Sequence, residues 1–397
     1  MTRFFQRTVF VLSLAIFVAL GSGFILGEFG LLGVHAGQQD GSYRQINVYG
    51  SVLRKIQTDY VTEPKMDNVT AGALHGLLES LDADSSYLSP TEYKIYKERS
   101  DADKTQVGIT VSKRYGYAVI VGVVPGSPAD KQKLSSGDVI ESIDGQSTRE
   151  LSLAVIRLLL EGKPETALTL SAVLPGKSEP EKITMVRAIV AEPTLGEQQF
   201  ENSSILYLKP GELTPARVND VAAKLRTDGK GRKIVLDLRD CTAGDPRQGV
   251  ALANLFIKQG TLATLEGQKY PRQTLAADPG KFLTSAPLAV LVNRGTYGAA
   301  EIAAAAIGDT SRGDVVGERT FGEGSVQKTF DLPDGSALFL TVAKYSGPAG
   351  KKIQDEAVTP NVVVTSVSDE DEVETNLPPA KDDILKKAIE LLKAKNS

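Results

Sequence analysis

Between Ile205 and Ile307 the chain alternates short apolar runs with stretches whose apolar residues recur every three or four positions, a pattern that few folds accommodate. Ile205-Leu206-Tyr207-Leu208, Lys233–Arg239 and Leu288–Asn293 read as strands, the last two as buried ones. Pro215–Leu225, Gln248–Ile257 and Ala299–Ile307 read as helices, the first with Val218, Val221, Ala222 and Leu225 on one face. Strand-helix alternation of this kind predicts an α/β core whose sheet is covered by helices. Asp331–Val342, turning at Pro333-Asp334-Gly335, reads as a β-hairpin appended to that core.

The residues before the core have a different period. Ile46, Tyr49, Val52, Leu53 and Ile56 make one apolar helical stripe, and a second helix over 70–81 carries Ala73, Leu74, Leu77, Leu78 and Leu81. It ends in the polar turn Asp82-Ala83-Asp84-Ser85-Ser86, after which Ser89-Pro90-Thr91-Glu92 opens another helix. A helix hairpin with a capped turn accounts for these residues, and they are assigned no chemistry. Further on, Pro125-Gly126-Ser127-Pro128-Ala129, Gly137-Asp138-Val139-Ile140 and the hairpin turn Asp144-Gly145 follow two strand-like runs. This series resembles a PDZ domain, a fold that holds an extended C-terminus beside a strand with backbone amides at the carboxylate. Val107, Gly108, Ile109, Thr110 and Val111 are then the peptide-binding candidates, with Thr110 narrowing the carboxylate loop.

The chain start implies export. Arg3 and Arg7 precede an uncharged run from Thr8 to Gly27, and about 20 such residues can cross a bilayer. Val34-His35-Ala36 is also compatible with a cleaved signal peptide. The expectation is a cell-envelope, extracytoplasmic protein held by a signal anchor, with cleavage left open. A net charge of -4 excludes a broad electrostatic surface for nucleic acid, and the single cysteine, Cys241, excludes an internal disulfide. The expected organisation is a leader at 1–36, helices at 43–103, a PDZ domain at 104–175, the core at 181–366, and an acidic linker with a last helix at 367–397.

Two segments give the core a second signature. Leu291-Val292-Asn293-Arg294-Gly295-Thr296-Tyr297-Gly298-Ala299-Ala300-Glu301-Ile302 is followed by Gly317-Glu318-Arg319-Thr320-Phe321-Gly322-Glu323-Gly324-Ser325-Val326-Gln327. The pair resembles the catalytic core of the carboxyl-terminal processing (tail-specific) serine peptidases, which typically read LVN-G-G-S-A-S-A-S-E-I and GE-x-T-F-G-K-G-S-V-Q. Leu236-Asp237-Leu238-Arg239 and Thr359-Pro360-Asn361-Val362 match further family segments, and 82–88 resembles SLDPHSSYL with Ala83 for Pro and Asp84 for His. The resemblance implies a multi-domain α/β (α+β) architecture: an N-terminal helical segment, an inserted PDZ domain, and a core like the tail-specific protease and ClpP-crotonase folds. It also implies a Ser nucleophile, a Lys base oriented by a Gln, no cofactor and no metal.

At those positions this chain has Gly298 for the serine and Glu323 for the lysine, with the family's spacing between them, while Gln327 matches the glutamine. The family's N-N-P-G-G near the oxyanion hole is Asp240-Cys241-Thr242-Ala243-Gly244, so the oxyanion region would consist of Ala243, Gly244 and Ala299. A glycine cannot attack, and a carboxylate carries the opposite charge to the family's base. Substitutes are poor. Thr296 is offset by two residues, Ser325 reads as a turn or cap, and Cys241 has only His35 and His75 as histidine partners, both distant in sequence. Asp237 and Asp240 are the carboxylates that would pair with Glu323 for acid-base work, but Asp237 belongs to a strand end that the family shares. The expected role is therefore non-catalytic: binding protein C-termini, or scaffolding and regulating an active relative or envelope enzyme, with an active protease relative or an adaptor as partner. The rival is a working serine endopeptidase that cuts near substrate C-termini, and a third reading is a purely structural component.

Overall fold

The computed structural model describes residues 36–98, 105–174, 176–364 and 382–395. The proposed leader and the acidic linker lie outside the described residues. The chain divides into two compact units at Thr70. The first holds helix α1 (Ala36–Asp59), whose predicted stripe is present but exposed at Ile46, Tyr49 and Val52. Helix α2 (Met66–Glu79) crosses the boundary. Among the described residues no helix is long and apolar enough to cross a membrane.

The second unit begins with a correction. The turn after α2 is not simply a link between helices, because Ser86–Leu88 forms strand β1 before helix α3 (Pro90–Glu98). The segment Ser85-Ser86-Tyr87-Leu88 is buried, and β1 finds its hydrogen-bond partner some 250 residues away. A pairing that distant leaves no local trace in the sequence.

The PDZ fold follows, with β2 (Thr105–Gln106), β3 (Ile109–Arg114), β4 (Tyr117–Val123), helix α4 (Pro128–Lys131), β5 (Val139–Ile143), β6 (Gln146–Ser147), helix α5 (Leu153–Leu160) and β7 (Ala167–Val173). Ser127 and Ser152 cap the two helices through their hydroxyls. The domain does not end at 175 as expected. Strand β8 (Glu181–Val186), assigned from sequence to the core, pairs antiparallel along β7, and β9 (Ala188–Ile189) returns to β2. Its alternation is regular, with Ile183 and Met185 turned into the PDZ core and their neighbours outward, but the proline-flanked turn before it looked like a linker.

The α/β core comprises β10 (Gly196–Phe200), β11 (Ile205–Lys209), helix α6 (Pro215–Thr227), β12 (Lys233–Asp237), helix α7 (Pro246–Asn254), β13 (Thr261–Gly267), β14 (Tyr270–Ala276), β15 (Leu288–Val292), helix α8 (Ala299–Asp309), β16 (Asp314–Gly317), β17 (Ser325–Asp331), β18 (Ala337–Ser346) and β19 (Val362–Val363), and helix α9 (Asp383–Ala394) follows. One sheet has the order β10-β11-β12-β15-β16-β19, parallel from β11 onward. Helices α6, α7 and α8 bury one face with Val221, Leu252 and Ile302, and α9 buries the other with Ile384, Leu385 and Leu392. Two covered faces explain why β12 and β15 read as unbroken apolar runs. A second sheet, β1-β18-β13-β14 with β17 also on β18, lies beside it in sequence order and contains the β13–β14 hairpin that sequence patterning missed.

Candidate active site

Three loops leave the carboxyl ends of the adjacent parallel strands β12, β15 and β16, where open α/β sheets place their ligand crevices. The β12 and β15 loops are tied together by polar side chains. Asn293 Nδ2 donates to Asp240 Oδ1 at 2.9 Å, and the Asp240 amide returns a bond to Asn293 Oδ1 at 3.1 Å. The Thr296 hydroxyl donates to Leu238 O at 2.9 Å and accepts from the Asn293 amide at 3.0 Å. Thr296 is fully buried in this role, so its hydroxyl is a structural clamp. Cys241 is equally buried, and burial pushes its thiol up, away from the reactive thiolate.

Strand β15 then turns into α8 through Gly298, which has φ +56° and ψ -111°. This is a strand-turn-helix elbow of the strained kind that presents a nucleophile, and a side chain rarely adopts it. A Cβ built on Gly298 would meet nothing within 4 Å, so the position faces open space. One carboxylate joins this elbow to the loop after β16. Glu301, in the first turn of α8, accepts at Oε2 from the Gly298 amide (3.1 Å) and the Glu323 amide (2.7 Å). Its Oε1 accepts from the Gly322 amide at 2.7 Å and from the Thr320 hydroxyl. Positions 298 and 323 thus share a single acceptor atom across 25 residues of sequence. Burial raises the Glu301 carboxyl to about 7 against the pull of these donors. Glu301 was visible in the motif as the third residue of a helix, the place for a carboxylate that reaches back to the cap, but the sequence reading gave it no role.

Glu323 is nine-tenths buried and meets the carboxyl of Asp84, which comes from the turn before β1. Burial first, and Asp84 second, push Glu323 up to about 8, so it holds a proton at neutral pH. The turn at Asp84, given no chemistry from sequence, therefore belongs to the site. The signal was there: the resemblance placed Asp84 at a family histidine and Glu323 at a family lysine, two departures of the same sign. Ser325 also differs from expectation. It opens strand β17 instead of capping a turn, and its Oγ donates to Glu323 Oε1 at 2.5 Å. Gln327 Nε2 donates to Ser325 Oγ at 2.6 Å and to Thr341 Oγ1 at 3.3 Å. Thr341 in turn donates to Asp82 Oδ1 at 3.1 Å, closing a polar chain from Asp82 to Asp84.

The rest of the predicted site is less complete. Ala243 O accepts from the Leu213 amide at 2.9 Å, and Gly244 forms a bridge with Leu213, so this strand end is engaged with the α6 entry loop. Asp237 does not pair with Glu323 or Asp240. It is fully buried against Arg239 and accepts from Tyr207 Oη at 2.7 Å, and Arg239 extends the pair to Asp382 at the cap of α9. Among the described residues no group of three or more His, Cys, Asp or Glu is placed to hold a metal.

The PDZ domain closes over this region. Arg157 on α5 stands 3.5 Å from Asp84 Oδ1 and 3.5 Å from Tyr297 Oη, and it also reaches Val111 O at 3.5 Å. Arg114 Nη2 donates to Phe321 O at 3.0 Å, and Thr110 Oγ1 is 2.9 Å from Thr242 Oγ1. Strand β3 is the edge of the PDZ sheet, with α5 alongside. Val107, Ile109 and Val111 point into the PDZ core, so they offer a ligand only backbone, and Thr110 faces the core loop at Thr242 instead of narrowing the carboxylate loop. The Gly108 amide donates to no described residue, which leaves it available for a carboxylate.

A PDZ sheet inserted ahead of a parallel α/β core, with an elbow and a second loop meeting at one glutamate, defines a PDZ-containing peptidase fold. Residues 199–364 match the model of peptidase family S41, and residues 119–172 match a PDZ domain. The carboxy-terminal-processing protease of Bartonella bacilliformis is 30% identical over 334 residues, covering 82% of this chain and 76% of that protein. The carboxy-terminal processing protease CtpA of Bacillus subtilis is 29% identical over 366 residues, covering 91% and 78%. A solved photosystem II D1 C-terminal processing protease superposes with a TM-score of 0.69 at 25% identity, over 85% of this chain and 96% of that one. The chain belongs to the carboxy-terminal-processing protease family.

Proposed function

We propose that this family member has lost Ser-Lys hydrolysis and acts by holding the C-termini of other proteins in its PDZ domain, tethered in the cell envelope. The observation that carries the reading is the pair of substitutions in a preserved frame. The elbow faces open space with no hydroxyl on it, and a protonated carboxyl stands where a neutral amine is required. A protonated Glu323 donates a hydrogen bond and cannot accept a proton from a nucleophile. Loss of a catalytic serine lowers turnover by roughly a millionfold. The preserved Glu301 clamp supports a fold kept for binding.

Retention of the PDZ fold, the free Gly108 amide and the open β3 edge support C-terminal peptide binding. Arg3, Arg7 and the apolar run Thr8–Gly27 support the envelope assignment. An active relative in the same compartment is the natural partner for regulation, because both would recognise the same polypeptide ends. The test is fluorescence anisotropy with labelled peptides ending in an apolar residue. Saturable binding of the free-carboxylate peptide, loss of binding when that end is amidated, and an intact peptide after prolonged incubation are expected. Equal binding of both forms, or cleavage of the peptide, would contradict the proposal.

A further inference from the structure

We propose that the connector from the PDZ domain to the core, residues 190–195, is fastened by a proton-dependent latch of Glu192, Glu212 and Arg217, closed in acid and released as the medium turns alkaline. The connector runs from β9, the last PDZ strand, to β10, the first strand of the core, and it rests on the β11–α6 loop. Pro193 packs against Gly211 of that loop so closely that a Cβ added at Gly211 would stand 2.9 Å from Pro193 Cβ. Arg217, in the first turn of α6, donates from Nη2 to Pro193 O and from Nη1 to Asp220 Oδ2 at 3.3 Å. The Thr214 cap positions Arg217 by accepting from its amide at 3.2 Å.

The same loop leads to the surface on which the PDZ domain rests. The Leu213 amide donates to Ala243 O, and the neighbouring Thr242 touches Thr110 and lies against Gly122 of the PDZ sheet. Freeing the connector from this junction lengthens the tether on which the PDZ domain moves.

Two acids meet at the junction. Glu192 of the connector is within hydrogen-bond reach of Glu212 of the loop, and a bond between two carboxyl groups exists only while one of them carries a proton. Glu212 Oε1 is buried with no hydrogen-bond partner, and so is Arg217 Nε, so the two do not bond each other. Ionising Glu212 would therefore add charge to an oxygen that no donor reaches. Arg217 faces Glu212 as the compensating cation, and the buried Cys241 thiol faces it from the β12 loop together with Lys209, Asp237 and Asp240. Burial first, and Glu192 second, raise Glu212 from 4.5 to about 7. The latch is therefore fully closed below pH 4.5 and lets go progressively as pH rises through about 7. It does not depend on whether the PDZ groove holds a peptide.

The test is limited proteolysis of the full chain by elastase, which cuts after small residues such as Val190 and Ala191. The rate at each pH is divided by that for a synthetic peptide of the connector sequence, and the products are identified by mass spectrometry. With 4.5 for the open and about 7 for the closed state, the relative rate should rise about tenfold between pH 6 and pH 8.5. Glu212→Gln, whose amide can donate to Glu192, should be cut as slowly at pH 8.5 as at pH 6. Glu192→Gln, measured against a peptide with the same change, should show a smaller rise than the natural chain. Arg217→Met should be cut faster at both pH values. The proposal is overturned if the natural chain has equal relative rates at the two pH values, if the tenfold rise persists in Glu212→Gln, or if cleavage elsewhere in the chain precedes cleavage of the connector.

Discussion

Glu323→Gln is expected to stabilise the protein by an amount that grows as pH rises from about 4.5 to about 8 and is level above that. The side chains are isosteric. The Gln carbonyl can still accept from the Ser325 amide and hydroxyl, and its Nε2 can donate to Asp84 as the protonated acid does. In the wild type the carboxyl is raised from 4.5 to about 8, so the folded state binds its proton more tightly than the unfolded chain does. The stability tied to that proton is fully present below pH 4.5, falls progressively as pH rises, and is lost once pH passes about 8. Raising the carboxyl from 4.5 to about 8 therefore costs at most about 5 kcal/mol of stability at alkaline pH. The assay is urea unfolding followed by far-UV circular dichroism, since the chain has no Trp. Relative to pH 4, the variant should gain on the wild type by about 1 kcal/mol at pH 5 and by up to about 5 kcal/mol at pH 9. Glu301, raised to about 7, makes both proteins less stable between pH 5 and 8 but cancels in the difference. An offset between the two proteins that is the same at pH 5 and pH 9 would refute the buried carboxyl pair.

Gly298→Ala should lower stability by about 1 to 3 kcal/mol from backbone strain alone, since its Cβ enters open space; a larger loss in thermal unfolding would mean the elbow is crowded. Arg157→Met should speed amide hydrogen exchange in β3 and α5 and cost about 1 to 3 kcal/mol, between the values for exposed and buried ion pairs; unchanged exchange would mean that the PDZ domain is held by other contacts. Cys241 should be inert to a thiol reagent in the native protein and titrate as one equivalent after unfolding; rapid native labelling would contradict its burial.

Much of this architecture was readable because its strands and helices carry their environment in their own residues. β12 and β15 are buried on both faces and read as strands, and α9 shows its apolar face so plainly that Asp382 could be placed at its start. The PDZ turns are local chemistry. What was missed depends on distant pairing. β14 is exposed and nearly featureless in hydropathy, β8 owes its place to β7 across a turn, and β1 pairs with β18. The same division holds in the site. The substitutions at 298 and 323 could be seen in a motif, whereas the meeting of Asp84 with Glu323 requires residues 239 positions apart to fold together. Glu301 lies between these cases, since a helix-start carboxylate is local but its bonds to Gly322 and Glu323 are not.

The frame's missing chemistry can be supplied by substitution. Gly298→Ser places a hydroxyl in the open space at the elbow, and Glu323→Lys restores an amine. Asp84→His must accompany them, because the remaining carboxylate would hold that lysine as an ammonium and spoil it as a base. Cleavage of an unfolded polypeptide, followed by mass spectrometry, should be undetectable with the natural chain and measurable with the triple variant. Cleavage by the natural chain that disappears with Ser325→Ala would mean that a hydroxyl hydrogen-bonded to Glu323 does the work, and the account of a silent site would be wrong.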